Sequence, residues 1–146
     1  MSPQWTKIST RVKSLLLPNI AQRLEFYLTS YRHGTTPPRG WVTLDGSEIL
    51  VYGGPAFDPN KKLLQANSLN PFDTILASPN RQEFYEELLS YPDKSVNDLL
   101  LSSQVVTRGL LFVDRRVGKR RIVSLSNRLE EHSFIRQMAR LRQVND

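Results

Sequence analysis

Apolar positions near the N-terminus recur at helical spacing. Trp5, Ile8, Val12, Leu15 and Leu16 stand at i, +3, +7, +10 and +11, which predicts a helix over 5–17 with one apolar face, closed by Pro18. The period then shortens to two. Leu24, Phe26 and Leu28 alternate with Glu25, Tyr27, Thr29 and Tyr31, so Arg23 to Arg32 reads as a strand. Trp41-Val42-Thr43-Leu44 and Glu48-Ile49-Leu50-Val51 flank Asp45-Gly46, a pair suited to a two-residue type I′ turn. Such a turn pairs Leu44 with Ser47, Val42 with Ile49, Trp41 with Leu50 and Arg39 with Tyr52. Strict alternation then puts Val42, Leu44, Ile49 and Val51 on one face, with Arg39, Trp41, Thr43, Glu48, Leu50 and Tyr52 on the other.

The pattern weakens over 53–80, where Gly53-Gly54-Pro55 and Asn70-Pro71 mark turns, and the stretch reads as loop plus a short helix. Ser2-Pro3, Asp58-Pro59 and Ser78-Pro79 each join an N-cap oxygen to a proline at the first helical position. Phe84, Leu88 and Leu89 form the stripe that follows the third pair, and Ser95 with Asp98 caps a short helix through Leu101. Val106, Leu110, Val113 and Val117 then fall on one helical stripe, with Arg108, Arg115 and Lys119 opposite and Gly118 as a C′ break before a second short helix. A hairpin over 105–113 and 121–125, turning at Val117-Gly118-Lys119, is the competing pattern. The tail presents Phe134, Ile135, Met138 and Leu141 on one helical face, with Arg140 and Arg142 at the end that favours cations.

These elements predict an α+β fold: an N-terminal helix, a three-stranded antiparallel meander and a helical, basic C-terminal half. The expected organisation is one domain over 1–146, with a helix at 5–17, antiparallel sheet at 22–52, a loop-rich stretch at 53–80 and mainly helix at 81–143. Composition agrees with a folded chain, since 39% hydrophobic and 23% charged residues are ordinary for a globular protein. The absence of cysteine excludes disulfides, thiolate metal sites and a cysteine nucleophile. No apolar run approaches the roughly 18 residues of a membrane span, and no signal pattern opens the chain, so a cytoplasmic location is expected.

Charge changes the picture more. Val105 to Asp146 holds ten bases against four acids, whereas the stretch from Val51 to Gln104 holds four bases against seven acids. Five of those ten bases, Arg115, Arg116, Lys119, Arg120 and Arg121, fall within seven residues. Such asymmetry points to an anionic partner, DNA or RNA foremost.

Thr29-Ser30-Tyr31-Arg32, Gly40-Trp41-Val42-Thr43-Leu44-Asp45-Gly46 and Val113-Asp114-Arg115-Arg116-Val117-Gly118-Lys119-Arg120-Arg121-Ile122 occur in that order. Together with Trp5 they resemble the signatures of a family of small, uncharacterised bacterial proteins. Members of that family usually have alanine where Gly109 stands. The resemblance implies a bacterial cytosolic protein, and it implies no reaction, cofactor or partner, so no functional residue carries over from it.

The residues suggest two candidate surfaces. One is a nucleic-acid-binding cluster of Arg108, Arg115, Arg116, Lys119, Arg120 and Arg121, within which Asp114 can engage an arginine as an internal brace. Gly118-Lys119 is not a phosphate loop, because Val113 stands where a glycine is needed and Arg120 where serine or threonine is needed. The other is a stacking face of Tyr27, Tyr31, Arg39, Trp41 and Tyr52, suited to unpaired bases if the sheet is open there. Catalysis finds little footing. His33 and His132 have no metal-ligand spacing, no nucleophile elbow exists, and His33 is the one candidate general base. No metal and no cofactor is expected. The reading is therefore a non-catalytic binding protein contacting nucleic acid. The alternative is a protein-interaction module, immunity-like or a mobile-element accessory, or one that pairs with itself through the tail stripe; an enzyme ranks third.

Overall fold

The computed structural model describes residues 3–29, 39–53, 81–127 and 132–145. Tyr31, His33, Arg128 and nearly all of the 53–80 stretch lie outside them. The described elements run α1 (Pro3–Lys13), α2 (Pro18–Ala21), β1 (Leu24–Leu28), β2 (Arg39–Leu44), β3 (Ser47–Gly53) and α3 (Arg81–Ser90). A 3₁₀ turn (Tyr91–Asp93), α4 (Val96–Leu100), α5 (Val105–Val113), α6 (Lys119–Ser126) and α7 (Ser133–Asn145) follow. This is the expected α+β order, with helix rather than hairpin at 105–126.

Helix α1 buries Trp5, Ile8 and Val12, and Leu16 continues their stripe into the core. It stops at Lys13, short of Pro18, because the residues before the proline are drawn out to pair elsewhere. Leu17 is extended (φ −55°, ψ 130°), as a residue preceding proline prefers. Its N–H donates to the Val113 carbonyl at 2.9 Å, and Arg115 N–H returns a bond to Leu15 at 2.8 Å. The Trp5 indole donates to the Phe26 carbonyl at 3.0 Å, which satisfies an outward-facing group of edge strand β1.

The sheet is a meander in the order β1-β2-β3, antiparallel throughout. The Asp45-Gly46 turn forms with both residues at positive φ, 52° and 87°. Beyond it the pairing departs from strict alternation. Thr43 faces Glu48, but Val42 faces Leu50 and Gly40 faces Tyr52, so Ile49 is the extra residue of a β-bulge. The bulge buries Leu50 and Tyr52 in the core and leaves Ile49 and Val51 half-buried, against the faces that a plain ladder assigns to β3. Long-range partners select it. The Tyr52 hydroxyl donates to Gln104 Oε1 at 3.0 Å and accepts from Val106 N–H at 3.2 Å, serving the unpaired N-terminus of α5. Opposite it, Gly40 leaves room for Phe84, whose ring would lie 2.3 Å from any Cβ there.

Helices cover the face formed by Leu24, Phe26, Val42, Leu50 and Tyr52. Helix α5 is the central one: seven of its residues are buried, so apolar surface runs nearly round it instead of along one stripe. Helix α7 lies along α5 through Phe134, Ile135 and Met138, all buried. That crossing depends on Gly109, where a Cβ would stand 2.3 Å from the Phe134 ring. Three of the four residues of the tail stripe are thus covered within the chain, and Leu141 is half-buried. Among the described residues, no helix is long and apolar enough to cross a membrane.

Candidate anionic-partner interface

Helix α5 ends at Val113, and the five residues to α6 form a strut. Asp114 is fully buried and extended, in an isolated bridge with Leu16. Its carboxylate accepts from the Tyr91 hydroxyl at 2.7 Å, from Arg116 N–H at 2.8 Å and from Arg116 Nη2 at 2.8 Å. Arg116 Nη1 donates onward to the Lys94 carbonyl at 3.1 Å, and the guanidinium lies over the Tyr91 ring. The hydrogen bond to Asp114 raises the Arg116 pKa further above its ordinary value. Burial, then the Asp114 charge, pushes the Tyr91 hydroxyl well above the usual phenol range.

Arg142 closes the strut from α7. It is 4% exposed, and its guanidinium donates to the carbonyls of Phe112, Asp114 and Val117 at 3.2, 3.2 and 2.9 Å. These include carbonyls that the end of α5 leaves unpaired. Its burial was legible: Arg142 stands four residues after Met138 and eight after Phe134, on the buried stripe.

The strut delivers the chain to Gly118, which is the N-cap of α6 with φ −73° and not a left-handed C′ break. Helix α6 is lightly held. Ile122 is its buried residue, Leu125 packs partly, and Arg121 Nη1 bonds Asn97 Oδ1 at 2.9 Å. Lys119, Arg120 and Arg121 make up its first turn, with no acid in that turn and no side-chain cap. Cations at a helix N-terminus oppose the macrodipole, so these three weaken the helix that carries them.

The six basic candidates therefore separate. Arg116 is the brace that Asp114 allowed for. Arg121 is tied to Asn97, and Arg108 is half-buried on α5. Arg115, Lys119 and Arg120 are exposed, and their side chains have no hydrogen bond or ion pair among the described residues.

The stacking face also divides. Tyr52 is 1% exposed and belongs to the core, so it leaves that face. Burial pushes its hydroxyl up to about 12. Tyr31 lies outside the described residues. Tyr27, Trp41 and Arg39 do share the outer face, but they are engaged with one another. The rings of Tyr27 and Trp41 stack at 5.2 Å, and the Arg39 guanidinium sits 4.3 Å from the Trp41 centroid while pairing with Glu48. Burial lowers the Arg39 pKa.

Two further polar groupings escaped the sequence. Glu87 accepts from Ser102 Oγ at 2.9 Å and from Thr107 Oγ1, and it stands near the N-terminus of α5. His132 Nδ1 accepts from Phe134 N–H at 3.2 Å and caps α7. Both serve helix ends, and nothing in the local sequence pattern announces the first. Among the described residues no group of His, Asp or Glu is placed to hold a metal ion.

No curated protein and no solved structure matches the chain. A family model described as the SF0329 protein family matches residues 4–71 and 73–143. With nearly its whole length inside those spans, the chain belongs to the SF0329 protein family.

Proposed function

We propose that this is a non-catalytic, bacterial cytoplasmic protein that binds nucleic acid through Arg115, Lys119 and Arg120, displayed on the strut and on the first turn of α6. One observation carries the reading. Lys119 and Arg120 occupy the helix end where they cost stability, roughly 0.3–1 kcal/mol each, and their side chains bond nothing among the described residues. Residues placed against the local preference of their element are explained by a role outside it. An anionic partner reverses the sign of that cost.

Fluorescence anisotropy of labelled DNA and RNA, at low and near-physiological salt, tests this. Three phosphate contacts predict that log affinity falls with log salt at a slope of about −2 to −3. The combined Arg115→Ala, Lys119→Ala and Arg120→Ala variant should lose most binding while its melting temperature holds or rises slightly. Absence of binding at low salt, or a triple variant that binds as well as the parent, defeats the proposal. A protein partner on the same helix is the second reading, favoured by Val123, which is 62% exposed three residues after Arg120.

A further inference from the structure

The outward face of α6 carries more than charge. At 100° per residue, Ile122 and Leu125, which anchor the helix, centre about 180° from Arg120, Val123, Ser124 and Asn127. Those four stand at i, +3, +4 and +7, all exposed, and their side chains make no hydrogen bond or ion pair among the described residues. Lys119 flanks the row on one side. The row therefore points directly away from the body, on a two-turn helix that contains no acid.

Resting on the nucleic-acid reading above, we infer that the occupant of this face is duplex DNA, with α6 lying in the major groove. A helix about 10–12 Å across matches a groove about 12 Å wide. The chemistry of the row suits base edges: Arg120 offers a bidentate donor fork for guanine, Asn127 a donor and acceptor for adenine, and Val123 an apolar surface for the thymine methyl. Arg115 and Lys119 lie at the entry end, where phosphates would be met. Charge complementarity selects a nucleic acid, and shape selects among its forms. The deep, narrow major groove of A-form RNA does not admit a helix. Single strands are held chiefly by stacking on aromatic rings. The row has none, and the Tyr27–Trp41 pair is stacked on itself under Arg39.

The test compares one 20-base-pair mixed sequence as duplex DNA, its separated strands and the same sequence as duplex RNA, using anisotropy on the full chain at two salt concentrations. Duplex DNA should bind at least about tenfold tighter than either alternative, the scale of a single good base contact. Val123→Glu, at an exposed position that leaves the core untouched, should remove that preference with an unchanged melting temperature. Equal affinity for all three forms overturns the groove assignment and leaves the electrostatic reading standing. Preference for single strands or duplex RNA overturns it likewise, and no binding to any form at low salt overturns both.

Discussion

Arg116 and Arg120 belong to one run of bases, four residues apart, and do opposite things. Arg116 is folded inward, its donors taken by the Asp114 carboxylate and the Lys94 carbonyl with the Tyr91 ring beneath it. Arg142, brought in from α7, is held by three backbone carbonyls. Arg120 faces solvent on a helix that its charge weakens. The difference teaches that a basic run is not one feature. Its arginines divide according to whether buried acceptors stand within reach, and here the Asp114 carboxylate and the Lys94 carbonyl together take Arg116 and leave Arg120 outside.

Removing Asp114 should have the largest effect. Asp114→Ala leaves the Tyr91 hydroxyl and the Arg116 guanidinium without their acceptor, at about 3 kcal/mol, at the low end for a broken buried pair because Arg116 is partly solvated. Denaturant titration measures it. A loss below about 1 kcal/mol would place Asp114 among ordinary surface acids and dissolve the contrast.

The base on which the strut rests can be tested next. Gly109→Ala adds a methyl against Phe134 and should cost about 1–3 kcal/mol of overpacking, offset in part by about 1 kcal/mol of helix propensity. Adding Phe134→Leu to that variant should recover part of the loss. Full stability of Gly109→Ala alone would mean that α7 slides freely on α5.

A pH series gives a smaller effect. The Tyr52 hydroxyl is raised to about 12, and Tyr91 is raised well above the usual phenol range by burial and by Asp114. Raised pKa values mean that the unfolded chain ionises first. The stability from both phenols is therefore intact below about pH 10 and is lost as pH climbs towards 12 and beyond. Tyr91→Phe should show a shallower decline over pH 10–12 than the parent, and an identical decline would contradict the buried position of this phenol.

How much of this was legible follows the range of the interactions. The α1 stripe, the Asp45-Gly46 turn and the Ser95 cap are set by neighbours within a few residues, and the pattern reads them. The bulge at Ile49 is not local. It is selected by Tyr52 reaching Gln104 and Val106 and by Phe84 seating on Gly40. Period-two counting consequently put Tyr52 on the wrong face. The basic cluster was visible as a cluster, and the brace was visible as an option. Which arginine took it depended on Tyr91 and the Lys94 carbonyl, and α7 had to return before the strut was closed. Gly118 was misjudged because glycine ends helices often, whereas here it begins one.

The smallest stability change tests the central claim most directly. Lys119→Glu with Arg120→Glu replaces two cations at the start of α6 by acids that suit its macrodipole, so the melting temperature should hold or rise slightly, by the equivalent of about 0.5–1 kcal/mol. Anisotropy on the same preparation should show DNA binding lost. A stable variant that still binds, or one that unfolds, would contradict the division between the arginines that build this fold and the cations that it displays.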